Sequence, residues 1–115
     1  MKKVIMLILI SLGTLSMTAQ SVKSTDFKVY GNCGMCENRI EKAALSADGV
    51  KKADWNRETE ILTIEYDASL VNLDDVHKRI AKQGHDTEIH RAEDKVYQGL
   101  PSCCQYERPA DDKAE

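Results

Sequence analysis

The residues best equipped to do chemistry in this chain are thiols. Cys33 and Cys36 stand three positions apart in Gly31-Asn32-Cys33-Gly34-Met35-Cys36, and a second pair, Cys103 and Cys104, lies near the other end. Helical spacing of three puts side chains on one face, so with Cys36 opening a helix both sulfurs can aim at one point beyond the helix end. A helix amino terminus carries unpaired amides and a partial positive charge, which favours thiolate, the form that ligates metal. Soft sulfur donors select Cu(I), Zn(II) and similarly thiophilic ions over magnesium or calcium. Two thiolates suit an ion content with low coordination, Cu(I) or Hg(II), whereas a structural Zn(II) wants four closed ligands, which Cys103 and Cys104 would complete. His85 is the remaining candidate, with two readings: a loop histidine that is merely solvated or hydrogen bonded, or a ligand that also tunes the thiols. His77 and His90 read as surface residues, and Met35 as loop packing rather than a thioether ligand.

The compartment decides whether those thiols compete with disulfides. Lys2 and Lys3 precede an apolar run from Val4 to Leu15 and a small, polar stretch, Ser16-Met17-Thr18-Ala19. This is the layout of a secretory signal peptide over residues 1–19, with cleavage expected after Ala19 and a soluble periplasmic or secreted product. The apolar run is shorter than the roughly 20 residues a membrane span needs, and no cysteine follows it closely enough for lipid attachment. Disulfides persist in such compartments, yet Cys103 and Cys104 are neighbours with Cα atoms about 3.8 Å apart, too close for an unstrained bridge. The four cysteines therefore read as two separate thiol pairs.

The elements that must hold the thiols follow from periodicity. Phe27, Val29 and the turn residue Gly31 suggest a strand after a polar lead-in from Gln20 to Thr25. A helix is expected from Cys36 to about Leu45, with Ile40, Ala43 and Ala44 on its buried side and Ser46-Ala47-Asp48-Gly49 as its stop. Val50 to Asn56 and Ile61 to Tyr66 read as a hairpin around Arg57, with Leu62, Ile64 and Tyr66 sharing a face. Asn72 is a cap for a second helix carrying Leu73, Val76 and Ile80, ended by Gly84. His85 to His90 is expected to add a short fourth strand with Thr87 and Ile89 inward. The sum is an α+β, ferredoxin-like βαββαβ arrangement: a four-stranded antiparallel sheet with two helices on one face. In it the thiol loop, the hairpin turn and the Gly84-His85 loop share one end.

Three regions result: the leader, a domain over 20–90, and a polar tail over 91–115 that carries the second cysteine pair and both prolines. The tail reads as an appendage, although the stretch from Arg91 to Cys103 is long enough, at up to about 40 Å extended, to bring Cys103 and Cys104 back to the thiol end. The 16 basic residues, two of them in the leader, stand against 19 acidic ones, which excludes a nucleic-acid binder of the usual electrostatic kind.

Gly31-Asn32-Cys33-Gly34-Met35-Cys36 after a strand, Asp48-Gly49-Val50 after a helix, and Ile80-Ala81-Lys82-Gln83-Gly84-His85 together resemble the heavy-metal-associated domain over roughly Phe27 to His90. That family includes copper chaperones, the amino-terminal modules of copper-transporting ATPases and small periplasmic mercury-binding proteins. The resemblance implies the βαββαβ fold and maps the metal-binding cysteines onto Cys33 and Cys36. This chain departs from the family in having Gly31 where a methionine is usual, and His85 where a tyrosine or another residue close to the metal often stands. The implied function is a non-enzymatic metallochaperone or scavenger that holds Cu(I) and passes it to a metal-transporting membrane protein or another chaperone by ligand exchange. Hg(II) or Zn(II) binding through the same cysteines is an alternative. A thiol-disulfide oxidoreductase is another, because Cys-Gly-x-Cys at a helix start also builds redox sites; its usual proline opposite the thiols has no counterpart outside the tail.

Overall fold

Backbone pairing centres on the segment whose alternation is clearest. In Ile61–Asp67, Leu62, Ile64 and Tyr66 are buried while Thr63 faces out, the period of a strand with one covered face. It becomes the middle strand of a computed structural model that describes residues 21–110. The expected leader over 1–19 and the last residues from Asp111 lie outside the described residues. The order is β1 (Val22–Lys28), α1 (Gly34–Leu45), β2 (Val50–Trp55), β3 (Ile61–Asp67), α2 (Leu73–Lys82), α3 (Asp94–Gln98) and a 3-10 turn over Ser102–Cys104. No helix among the described residues is long and apolar enough to cross a membrane.

The sheet has three strands, in the order β1-β3-β2, all antiparallel. Phe27 and Trp55 flank Leu62, and Thr25 and Ala53 flank Ile64, so one face gathers the apolar side chains. Onto it α1 lays Cys36, Ile40, Ala43 and Ala44, and α2 lays Val76, His77, Ile80 and Ala81. Asn72 caps α2 by accepting the Asp74 N–H at 2.9 Å, as its residue type foretells.

Several details differ from the sequence expectation. The polar lead-in is strand: β1 starts at Val22, and Lys23 to Asp26 pair with β3 through backbone groups that composition does not reveal. The first helix starts at Gly34 rather than Cys36, making Cys33 its N-cap. The fourth strand is reduced to one bridge, Val29 to Thr87. Thr87 explains the loss, because its N–H bonds the His90 carbonyl at 2.8 Å and its hydroxyl accepts the His90 N–H at 3.0 Å. These local bonds curl the chain away from β1 and leave Ile89 exposed. Finally, His77 is buried: four residues after Leu73 it falls on the covered stripe of α2, against Phe27, with Nδ1 2.7 Å from the Thr87 hydroxyl. His90 is half-buried, its Nε2 2.6 Å from an Asp74 carboxylate oxygen.

The segment after Arg91 is not a loose appendage. Ala92, Leu100, Cys104 and Tyr106 are all buried, and Leu100, Cys104 and Tyr106 join the hydrophobic core. Gly84 makes the seat: its φ of +103° ends α2, and a Cβ there would lie 3.0 Å from the Leu100 side chain.

Candidate metal centre

The two motif thiols meet because of where the helix begins. Cys33, with φ −145° and ψ 172°, is still extended while its carbonyl already accepts the Glu37 N–H at 3.1 Å. Cys36 sits three residues on, in the first helical turn, buried against the sheet. The sulfurs are 3.2 Å apart, and the Cys36 thiol donates to Asn32 Oδ1 at 3.4 Å. Trp55 supports the loop from below, its indole N–H donating to the Val29 carbonyl at 2.9 Å. A Cβ on Gly31 would lie 3.1 Å from the Trp55 ring and from the Cys36 Cβ. Gly31 thus belongs with Trp55: the ring occupies room that a larger loop residue would need.

The tail brings the second pair to the same place. Cys104 Sγ lies 3.3 Å from Cys33 Sγ, and Cys103 Sγ lies 3.9 Å from that of Cys104. Among the described residues, Cys33, Cys103 and Cys104 have ligand atoms all within 4.8 Å of one another. Cys33 is the hub, half-buried, with Cys36 and Cys104 buried on either side and Cys103 exposed. Met35, read as loop packing, is exposed and its Sδ accepts from the Cys103 thiol at 3.6 Å.

Charge in the cluster concentrates on the hub. Burial acts to raise the Cys33 pKa, but the Cys36 thiol, the Cys36 backbone N–H and the thiols of Cys104 and Cys103 favour its thiolate and bring it down to about 7. The Cys33 sulfur makes no full cap hydrogen bond, so the helix terminus acts through charge more than through one aligned bond. Burial drives Cys104 well above an ordinary thiol, and hydrogen bonding to Cys36 and Cys33 adds to the rise. Near neutral pH Cys33 is thus partly thiolate, the form that ligates a thiophilic ion.

His85 does not join that group. It is fully buried, and because the Tyr30 carbonyl 2.8 Å from Nδ1 can only accept, Nδ1 carries the proton. Nε2 is buried with no hydrogen-bond partner. Burial lowers its pKa, the Tyr30 bond opposes this, and the nearby Arg39 charge adds to the lowering, so the ring is neutral. The ring stacks on Tyr106 with centroids 5.3 Å apart.

Tyr106 and Arg108, which sequence reasoning left unassigned, lock the tail. The Tyr106 hydroxyl donates to the Gly84 carbonyl at 2.7 Å and accepts the Asp86 N–H at 2.8 Å. Arg108 grips the fully buried Asp86 carboxylate with Nε and Nη2, both at 2.8 Å, and reaches Asp94 with Nη1 at 2.6 Å. The only hint in the sequence is a scatter of Leu100, Tyr106 and Arg108 in an otherwise polar stretch. The hairpin turn does come to the thiol end, since a Cβ on Gly34 would lie 3.1 Å from the Arg57 guanidinium.

Comparison with known proteins identifies relatives of the chain. The family model of the heavy-metal-associated domain matches residues 31–86. The copper chaperone CopZ of Staphylococcus aureus is 36% identical over 55 residues, covering 48% of this chain and 81% of CopZ. A copper-exporting P-type ATPase of Staphylococcus saprophyticus is 39% identical over 67 residues, 57% of this chain, and the chain spans only 8% of that ATPase. Among solved structures, the N-terminal domain of a potential copper-translocating P-type ATPase from Bacillus subtilis, in its Cu(I)-loaded state, superposes with a TM-score of 0.56. It is 28% identical and covers 65% of this chain and 95% of that one. The chain belongs to the heavy-metal-associated domain family.

Proposed function

We propose that this protein is an exported copper carrier that takes Cu(I) on Cys33 and Cys36 and hands it to a metal-transporting membrane protein or another chaperone by exchange of thiolate ligands. The observation that carries the reading is the pair of sulfurs 3.2 Å apart at the start of α1, in a fold shared with copper chaperones. Cys33, half-buried and readily ionised, is the point of entry: its thiolate ligates first, and Cys36 gives up its proton as it follows. An acceptor thiolate reaching the ion from the Cys33 side can then displace these ligands one at a time, with no turnover chemistry. Export rests on the basic, apolar and small-residue pattern of residues 1–19. Titration of the reduced chain with Cu(I) is the test: tight binding in the wild type and its loss in Cys33→Ser plus Cys36→Ser is the expected result. Equal binding by the double variant refutes the reading.

A second reading, thiol-disulfide exchange, is favoured by the lowered pKa of Cys33 beside the Cys104 sulfur. It requires catalytic insulin reduction that disappears in Cys33→Ser.

A further inference from the structure

Cys33 touches two thiols, not one. Its sulfur is 3.2 Å from that of Cys36 and 3.3 Å from that of Cys104, a residue 71 positions away. Cys104 is fully buried there, and its position is over-determined. Leu100 is packed on Gly84, the Tyr106 hydroxyl bridges Gly84 and Asp86, and Arg108 is paired with the buried Asp86 carboxylate. A tail that merely covered the loop would not need this much fixing. From these contacts we infer that Cys33, Cys36 and Cys104 form a single three-thiolate site for one soft metal ion, with the tail as the strap that supplies the third sulfur.

Sulfur spacing supports three ligands over two. With metal–sulfur bonds of about 2.3 Å, a linear pair of thiolates stands about 4.6 Å apart and a trigonal set about 4.0 Å. From 3.2 Å, Cys33 and Cys36 must separate by about 1.4 Å for the first geometry and by about 0.8 Å for the second. The trigonal set also opens the Cys33–Cys104 contact from 3.3 Å, by about 0.7 Å, and in a close-packed loop wedged between Trp55 and the helix each of these shifts is smaller than the one the linear pair demands. Cys103 is the competitor for the third place, since its sulfur is within 4.8 Å of those of Cys33 and Cys104. It is exposed and engaged with Met35 Sδ at 3.6 Å, which leaves it outside the three. Each thiol that ligates releases its proton to solvent, and the ion stays Cu(I) throughout. The strap then governs transfer: an acceptor thiolate replaces Cys104 as the tail lifts, and the remaining two-thiolate complex is the form that hands the ion on.

The inference rests on the Cys33 and Cys36 clamp, and its test separates the two. The reduced full-length chain is loaded anaerobically with Cu(I), and copper-edge X-ray absorption counts the sulfurs. Competition against a chromogenic Cu(I) chelator gives stoichiometry and affinity for the wild type, Cys104→Ser, Cys103→Ser, and Cys33→Ser plus Cys36→Ser. The expected result is one ion with three sulfurs in the wild type and two sulfurs in Cys104→Ser. Affinity should fall at least about tenfold in Cys104→Ser and change within about threefold in Cys103→Ser. Two sulfurs in the wild type, two ions per chain, or an equal loss in Cys103→Ser overturns the three-thiolate site while leaving the clamp standing. Undiminished binding in Cys33→Ser plus Cys36→Ser refutes the clamp itself. The wild-type sulfur count needs no substitution, so it decides the matter even where Cys104→Ser weakens the fold.

Discussion

Replacing Tyr106 with Phe tests whether the tail is held as the structure shows. Phenylalanine keeps the ring, and with it the stacking on His85 at 5.3 Å and the edge contact with Tyr97 at 5.1 Å. What disappears is one hydroxyl and its two hydrogen bonds, to the Gly84 carbonyl at 2.7 Å and from the Asp86 N–H at 2.8 Å. Both backbone groups are buried, and leaving such a group unsatisfied costs about 1–3 kcal/mol. Taking about 1.5 kcal/mol for each gives roughly 3 kcal/mol for Tyr106→Phe. If tail and core melt together, a domain of this size loses about 4–8 °C per kcal/mol, so the midpoint falls by about 12–24 °C. If the tail opens alone, the same energy raises its open population about a hundredfold. Two measurements cover the two cases: thermal unfolding followed by circular dichroism, and the rate at which Cys104 is alkylated in the metal-free, reduced chain. A midpoint within about 3 °C of wild type, together with an unchanged Cys104 rate, refutes the account of the tail.

Gly31→Met, which installs the residue usual in the family, should destabilise the chain by about 1–3 kcal/mol in urea unfolding, because its Cβ meets Trp55 and the Cys36 Cβ. Trp55→Phe in the same chain should restore part of that loss, and strict additivity of the two changes would show that they do not share the space. Asp86→Asn leaves Arg108 without its buried counter-charge and should cost about 3–5 kcal/mol, read as a lower denaturant midpoint. Acid should weaken the fold in two stages. His77 and His85 have folded pKa values lowered first by burial, so their stabilising effect is complete above the unfolded value of 6.5 and is lost as pH falls below it. Asp86 is held below the usual carboxylate value of 3.8, since Arg108 and the Ala92 N–H outweigh the effect of burial, so its contribution persists until pH falls below about 4. A thermal midpoint that stays flat from pH 7.5 to pH 5 would contradict the histidine assignment.

Local rules located most of the fold. The alternation of Leu62, Ile64 and Tyr66, the Asn72 cap and the Gly84 stop depend on residues close in sequence, and the structure uses them as read. The misses share a different cause. Lys23 to Asp26 look like a solvated lead-in because an exposed strand is held by its partner, not by its own side chains. The fourth strand fails because Thr87 offers the backbone a turn of its own, a competition that period-2 counting ignores. His77 reads as surface until Phe27 and Thr87 are seen to bracket it. At the metal centre the Cys33 and Cys36 pair was legible from spacing. Tail length showed that Cys104 could reach that pair, but not what holds it there, because Tyr106 and Arg108 fix it through Gly84 and Asp86, about twenty residues earlier, without any periodic pattern.

The 71-residue separation between Cys33 and Cys104 also sets an order of events. The Cys33 and Cys36 pair is complete as soon as one helical turn forms, whereas the third sulfur arrives only after nearly the whole described chain has been made and folded. Contacts that close such long loops carry the largest chain-entropy cost and tend to form late. A chain still folding can therefore bring Cys33 and Cys36 together while Cys104 is still away from them. Cys104 in place is thus a chemical mark of maturity, and thiol reactivity during refolding would report the closing of the tail against the clock.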